Sequence, residues 1–454
     1  MNRRDFISQM GSGMGAVALA GILPNAEAST QAPHIKPKAK AVIQLFMNGG
    51  PSQVDTFDYK PLLAKFHGDR PKSVDVTTER PTGGLMKSPW EFKRYGKSGI
   101  YVNDIYRHTG EVIDDICVIN SMYTNIPNHA PALSMMNCGE IQPIRPSMGS
   151  WLNYGLGSEN ENLPGYVVLC PGKPLVGSPL WNSSFLPGEF QGTYVSTKTS
   201  IDPDKVIANL KNKVHSLQDQ EKILEQLRFV NNQHKANRLG NSKLDASIKS
   251  MELAFRMQTE ASDAFNIHAE SKATREMYGE GSFAESCLAA RRLVERGVRF
   301  VQIYAGNGNH WDHHSNIHAH QGHAAKTDKP AAALIKDLKR RGMLDETIVV
   351  WGGEFGRTPT TELANAIEGG GGRDHNHLGF TCWLAGGGFK GGTQYGATDE
   401  FGLRAVENKV HVHDLHATIL HQMGLDHEKL TYRYSGRDFR LTDVHGEVIK
   451  DILT

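Results

Sequence analysis

Short apolar runs that end abruptly at glycines constrain the fold of this chain more than any other feature. Residues 41–47 form one such run, which stops at Asn48-Gly49-Gly50-Pro51, and residues 347–351 form another, which stops at two glycines. Similar runs occupy residues 116–120, 166–169, 299–304 and 380–388, and helical patterns such as 329–342 lie between several of them. Continuous apolar strands of this kind are typical of parallel sheets covered on both faces. The sequence therefore predicts an α/β domain with a central, mostly parallel sheet.

The N-terminus is typical of an exported protein. Residues 1–28 contain Arg3-Arg4, a Gly/Ala-rich stretch and an Ala-Glu-Ala cleavage candidate, which together indicate a twin-arginine signal peptide and a periplasmic or cell-envelope location. The apolar run from 13 to 24 is shorter than the roughly 20 residues that span a bilayer, so no stable membrane span is predicted. A linker at 29–40 precedes one domain, 41–454, with a polar helical insertion at about 202–280. The net charge of +1 gives no support for nucleic-acid binding.

Acidic and imidazole side chains follow the predicted strands. Asn48, Asp55 and Asp58 come after the first strand, Asp312 and six histidines between 310 and 323 after residues 299–304, and Glu354 after residues 347–352. Asp374, His375 and His377 directly precede the strand at 380. Because ligands of parallel sheets bind at the carboxyl ends of the strands, we expect these loops to meet there.

Such a mixture of carboxylate and imidazole groups indicates a site for a divalent metal such as zinc, manganese, iron or calcium. Two other interpretations remain open. Glu354 could form a structural ion pair with Arg357, and the histidine-rich loop could be a solvated surface. His313, His318, His320 and His323 are alternatives to the chosen ligands.

The motifs "FMNGGPSQVDTFDYKP", "WDHHSN", "GGEFGRTP", "GRDH" and "WLAGGGFKGG" and the C-terminal segment from His413 resemble a family of exported, sulfatase-like proteins of unknown function, DUF1501. The similarity extends from about residue 40 to 453. That family belongs to the alkaline phosphatase and sulfatase superfamily. The resemblance implies an alkaline-phosphatase-like three-layer sandwich that binds one or two divalent cations, which could be zinc, calcium, manganese or magnesium.

The resemblance also implies a set of metal ligands. The superfamily's first metal aspartate is replaced here by Asn48, so the ligand is either that amide or Asp55. The superfamily's Asp-His-Gly motif reads Glu354-Phe355-Gly356, which keeps the carboxylate and loses the imidazole. The remaining ligands are matched by Asp312 and His314 and by a last histidine, for which His375 and His377 are rivals.

The nucleophile position departs from the sulfatase pattern. The similar segment, "NIPNHAPALSMMNCG", places His129 where a sulfatase has its modified cysteine or serine. An imidazole could serve there as nucleophile, metal ligand or general acid, or His129 could merely cap the following helix.

The function predicted from these residues is metal-assisted hydrolysis of a sulfate or phosphate ester, with a sulfated carbohydrate among the candidate substrates. In that hypothesis Asp312, His314, Glu354 and His375 hold the metal, Asn48 and Asp55 complete its coordination, Arg357 neutralises a substrate oxygen, and His129 assists proton transfer. Direct attack by water fits better than a covalent intermediate. The alternatives are an inactive relative that binds sulfated polysaccharide or a partner protein, and a protein whose metal is structural within a larger exported assembly.

Overall fold

The strands of this protein form one large sheet and several two-stranded ribbons. The computed structural model describes residues 33–74, 80–201, 214–236, 242–362 and 371–454, so the predicted signal peptide lies outside the described residues. The strands are β1 (Ala41–Phe46), β2 (Thr82–Leu85), β3 (Phe92–Tyr95), β4 (Ile100–Asn103), β5 (Ile116–Tyr123), β6 (Tyr166–Cys170), β7 (Thr193–Ser196), β8 (Phe300–Tyr304), β9 (Thr347–Gly352), β10 (Gly356–Arg357), β11 (Thr360–Glu362), β12 (His375–Asn376), β13 (Phe380–Ala385), β14 (Thr393–Tyr395), β15 (Ala397–Thr398), β16 (Ala405–Glu407), β17 (Val410–His411), β18 (Tyr432–Tyr434) and β19 (Arg437–Phe439).

The central sheet has the strand order β14-β5-β13-β9-β1-β8-β6-β7, and β17 also pairs with β5. β1 is parallel to β8 and β9, β6 is parallel to β7 and β8, and β14 and β17 are parallel to β5. β13 runs antiparallel to both of its neighbours, β5 and β9. All residues of β1 and β9 are buried, as a strand covered on both faces requires. The predicted α/β fold with a mostly parallel sheet is confirmed.

The helices cover both faces of the sheet. They are α1 (Pro61–Lys65), α2 (Arg107–Gly110), α3 (His129–Cys138), α4 (Met148–Leu156), α5 (Leu217–Ala236), α6 (Ser242–Ala264), α7 (Lys272–Tyr278), α8 (Ser282–Glu295), α9 (Ala319–Arg340) and α10 (Val412–Gln422). Successive strand residues point to opposite faces. Ile43 accordingly packs in a core with α8 and α9, whereas Val42 packs in a second core with α3, α4 and α10. The result is the predicted three-layer sandwich, and α5, α6 and α7 lie within the predicted helical insertion.

The reversed strand determines which loops share an edge of the sheet. β1, β5, β8 and β9 all end at one edge, and β13 begins at that edge because it runs the other way. The loops that follow these four strands and the loop that precedes β13 therefore lie at the same edge, and they include the segment from β5 to His129 and the segment that leads from His375 into β13. None of the described helices combines the length and hydropathy that a bilayer span requires.

Two histidines of α10 hold the C-terminal end of α3. His416 Nε2 donates to the carbonyl of Met136 at 2.9 Å, and His413 Nε2 donates to the carbonyl of Gly139 at 3.0 Å. The Nδ1 atoms of both rings are buried and have no hydrogen-bond partner among the described residues. Burial lowers the pKa of His416 from 6.5 to about 3.

Acid is expected to destabilise the fold through His416. The unfolded ring takes up a proton near pH 6.5, but the folded ring does so only near pH 3. The free energy of unfolding is therefore highest above pH 6.5 and falls progressively as the pH drops below that value. The loss between about pH 6.5 and pH 5 is on the order of 2 kcal/mol. Urea unfolding across this range should show a shallower decline for His416→Gln than for the wild type. His421→Gln, on the half-buried side of the same helix, is the control, and an unchanged decline in His416→Gln would contradict the assignment.

Candidate metal centre

His129 stands at the middle of the converging loops. It is the first residue of α3 and is 7% exposed. Its Nδ1 donates to Glu354 Oε1 at 2.7 Å. Its Nε2 lies 3.2 Å from Asp312 Oδ2 but outside hydrogen-bonding geometry. The His129 ring therefore bridges a buried carboxylate on one side and a second carboxylate on the other.

Glu354 is held from the first loop. The backbone N–H of Gly49 donates to both carboxylate oxygens of Glu354, at 2.9 and 3.1 Å. Gly49 has φ +108°, and a Cβ on it would lie 2.5 Å from the backbone nitrogen of Trp311. Only glycine fits where three loops approach this closely. The glycines that follow β1 thus let its backbone reach the Glu354 carboxylate.

Asp312 is the point on which the other predicted ligands converge. Its Oδ1 lies 2.9 Å from His314 Nε2, 3.4 Å from His375 Nε2 and 2.8 Å from an Arg357 guanidinium nitrogen. The Nε2 atoms of His314 and His375 are 3.1 Å apart. The ring centroids of His129 and His375 are 4.3 Å apart. Three imidazoles from three separate loops therefore surround one carboxylate.

The outward-facing nitrogens of two rings are fixed by oxygen acceptors. His314 Nδ1 donates to Glu362 Oε2 at 2.7 Å and lies 3.7 Å from Asp374 Oδ1. His375 Nδ1 donates to the carbonyl of Pro127 at 3.0 Å. Because ionised carboxylates and carbonyls only accept, each Nδ1 carries a hydrogen. In the neutral rings, the lone pairs are then on the Nε2 atoms that face Asp312.

This donor set fits a divalent cation. The Nε2 lone pairs of His129, His314 and His375 and the Asp312 carboxylate share one small space, and the His129 Nε2 is buried with no hydrogen-bond partner among the described residues. His129, Asp312 and His375 form one group of candidate ligands, and His314, Asp374 and His375 form another. Nitrogen and carboxylate oxygen together suit zinc or manganese.

The pKa values show how strongly these charges interact. Burial opposes the ionisation of Asp312, but contacts with His129, His314 and His375 and the charge of Arg357 hold its pKa well below the usual range. Burial also opposes the protonation of His129 and His314, yet their carboxylate neighbours raise both pKa values. Burial lowers the pKa of His375. A cation bound here would compete with protons for the same ring nitrogens.

Two other predicted residues lie at the edge of this cluster and are bound to backbone. Arg357 is fully buried and donates to the carbonyls of Gly49, Gly50 and Arg373 as well as contacting Asp312. A contact between Arg357 and a substrate oxygen would require breaking some of these bonds. The Asn48 amide donates to the carbonyl of Gly306 at 3.0 Å and accepts from its N–H at 3.3 Å. The Asn48 side chain therefore ties the first loop to the histidine-rich loop.

The structure separates Asp55 and His377 from the cluster. Asp55 is fully buried and forms a two-point ion pair with Arg373, at 2.7 and 3.2 Å, and it accepts from Ser52 Oγ. In the described part of the chain, the His377 ring makes none of the contacts that join the other histidines. Of the two rivals for the last ligand, His375 is the one that reaches Asp312.

Three of the four alternative histidines, His313, His320 and His323, form a second group, whereas His318 is exposed and its ring packs against Trp90. His320 Nε2 accepts from the N–H of Ser52 at 3.1 Å, so its Nδ1 carries the hydrogen and faces His313 Nδ1 at 3.1 Å. His313 Nε2 lies 3.3 Å from His323 Nε2. Burial lowers the pKa of His313 to about 4 and that of His323 to about 3. This chain of neutral rings, which we call the imidazole chain, fastens the loop of Asp312 to α9.

The sequence did not predict the contact between Glu362 and His314. Glu362 is the last residue of the three-residue strand β11, in "TPTTEL", where no apolar periodicity marks a buried position. Its place beside His314 depends on the pairing of β11 with β2, far away in the chain. Asp374, by contrast, directly precedes His375 and lay within the predicted loop.

The sequence profile of the DUF1501 family, described as "Protein of unknown function", matches residues 39–453. The chain belongs to the DUF1501 family. None of the curated proteins matches the sequence. The glycine-bounded loops that hold Glu354, Asp312 and His375 all lie inside the segment shared with DUF1501.

Several solved structures are similar to this DUF1501 protein. Ps i-CgsB is 11% identical, with 85% of this chain and 72% of that chain covered and a TM-score of 0.39. The PsFucS1 sulfatase from Pseudoalteromonas sp. is 13% identical, with 86% and 68% covered and a TM-score of 0.35. The phosphonate monoester hydrolase SpPMH from Silicibacter pomeroyi is 10% identical, with 77% and 71% covered and a TM-score of 0.35. Similarities this distant carry no argument about the activity of this chain.

Proposed function

We propose that this protein is an exported, metal-dependent hydrolase of sulfate or phosphate esters. The observation that carries the proposal is the convergence of His129, His314 and His375 on the Asp312 carboxylate, at the carboxyl edge of a parallel sheet. Binding sites of open α/β sheets lie at this edge. A cation held there would supply Lewis acidity toward the oxygens of an anionic ester.

In this proposal the four converging residues are the ligands. Asp312 supplies the negative charge, and the three imidazoles supply nitrogen lone pairs. Arg357 keeps Asp312 ionised and in place. His129 Nδ1 is hydrogen-bonded to Glu354, and its Nε2, which has no hydrogen-bond partner among the described residues, faces Asp312. A ligand role therefore fits His129 better than the proton transfer predicted from the sequence.

The absence of a hydroxyl or thiol on His129 favours attack by water over a covalent intermediate. The substrate class remains that of anionic esters, and the resemblance of the family to sulfatases favours a sulfated carbohydrate among them. Export by the twin-arginine route belongs to the same proposal, because residues 1–28 carry the signal pattern.

Removal of the cation is expected to abolish hydrolysis. The purified mature protein should contain zinc or manganese by elemental analysis, and it should hydrolyse at least one of an aryl sulfate, an aryl phosphate monoester and an aryl phosphate diester. Treatment with a chelator should remove both metal and turnover, and added metal should restore them.

Two outcomes would contradict the proposal. Turnover that persists in metal-free protein would remove the metal from the mechanism. Stoichiometric metal without turnover of any ester would favour the alternative of a binding protein for sulfated polysaccharide or for a partner protein, which a pull-down with immobilised sulfated polysaccharide would then test.

A further inference from the structure

We infer that Glu354 and Glu362 are a matched pair of positioning residues, which act on the cation through His129 and His314 and not as ligands. The inference rests on the metal centre of the proposed function and changes the role of Glu354, for which the sequence predicted direct coordination. The two carboxylates come from different parts of the chain, the turn after β9 and the strand β11.

Glu354 is placed behind His129. Its Oε1 accepts from His129 Nδ1 at 2.7 Å and from Gly49 N–H at 2.9 Å, and its Oε2 accepts from the same N–H at 3.1 Å. Asp312 lies at the Nε2 atom of the same ring. Because Nδ1 and Nε2 are on different edges of an imidazole, the ring separates the Glu354 carboxylate from the place where the Nε2 lone pair points.

Glu362 stands in the same relation to His314. Its Oε2 accepts from His314 Nδ1 at 2.7 Å, and its Oε1 accepts from the Arg80 guanidinium at 2.9 Å. The Glu362 side chain is fully buried, whereas Arg80 is 45% exposed. His314 Nε2 faces Asp312 at 2.9 Å. Both glutamates thus bind the nitrogen that points away from Asp312.

These contacts do two things to each imidazole. The carboxylate fixes the hydrogen on Nδ1, so the neutral ring presents its lone pair at Nε2. The negative charge also makes the ring a better electron donor. Carboxylates behind metal-binding histidines typically contribute about 10–100-fold to metal affinity. A pair of them would set the affinity of the centre without touching the cation.

The test measures Co²⁺ binding to the apoprotein by calorimetry and by the visible spectrum of the bound ion. Glu354→Gln and Glu362→Gln are expected to bind as many ions as the wild type, with the same ligand-field bands and about 10–100-fold weaker affinity. Glu346→Gln is the matched control, since Glu346 is half exposed and pairs with Lys40 far from the cluster. Wild-type affinity in both test variants, or loss of an ion or of a ligand-field band in either, would overturn the inference.

Double mutants separate action through the ring from general structural damage. If Glu362 acts through His314, Glu362→Gln should weaken Co²⁺ binding far less in a His314→Gln background than in the wild type, and Glu354→Gln should behave likewise with His129→Gln. Additive effects would contradict the inference. If Glu362→Gln does not fold, Arg80→Met provides the second variant. It should weaken binding in the same direction by a smaller factor, and wild-type affinity would count against Glu362.

The outcome is distinct from that of the proposed function, because no step of this test depends on hydrolysis. A protein that binds Co²⁺ and hydrolyses no ester would refute the proposed activity and leave the positioning roles to be decided by the affinities. A wild-type protein that binds no Co²⁺ would overturn both.

Discussion

Asp312→Asn is expected to lose metal binding and all ester hydrolysis. Among the described residues, Asp312 is the carboxylate that faces His129, His314 and His375 together, and it also pairs with Arg357. Asparagine keeps the shape but removes the charge and one acceptor oxygen. Metal affinity should fall by more than about 100-fold, the upper end of what a residue behind a ligand contributes. Elemental analysis and calorimetric titration with Zn²⁺ or Mn²⁺ measure the loss.

The matched control for this change is Asp345→Asn. Asp345 is exposed and precedes β9, at the opposite edge of the sheet. Its substitution should leave the metal content, the affinity and the circular dichroism spectrum as in the wild type. Near-wild-type affinity in a folded Asp312→Asn protein would mean that the cation, if bound, is held elsewhere.

Asp55→Asn should have the opposite profile, with a large loss of stability and no loss of metal. Asp55 and Arg373 are both fully buried and bind each other at two points. Removal of one partner leaves the other charge buried and uncompensated, which costs about 3–5 kcal/mol. Urea unfolding measures the free energy of unfolding, and elemental analysis of the same preparation measures the metal.

The control for Asp55 is an exposed ion pair. Lys93 and Asp104 lie 2.8 Å apart with much of each side chain in solvent, and Asp104→Asn should cost less than about 1 kcal/mol. A stable Asp55→Asn protein that has lost its metal would restore Asp55 to the ligand role that the family resemblance implies.

The layered fold was predictable because a strand that is buried on both faces has a continuous run of apolar residues. β1 and β9 are uninterrupted apolar runs, and the glycines that follow them mark where the chain leaves the sheet. Sequence order alone did not give the direction of β13. That direction depends on pairing with β5 and β9, which are distant in the chain.

The sequence predicts which loops form the site, but it does not predict the role of each side chain in it. The loop that carries Asp312 and His314 meets the loop that carries His375, as the positions of the strand ends indicated. Whether a carboxylate binds a cation or stands behind a histidine depends on distances of a few ångströms, which the sequence does not encode locally. Glu354 and Glu362 illustrate the limit, since each is identified only by the ring nitrogen it contacts.

Among the described strands of the sheet, β13 alone runs antiparallel to its neighbours, and this has a consequence for how the site is assembled. The other side chains of the site follow the C-terminal ends of four strands, whereas His375 precedes the N-terminal end of β13. His375 is thus tethered from downstream, only five residues before Phe380. The other loops of the site are fixed at their N-terminal ends instead, by the strands that precede them.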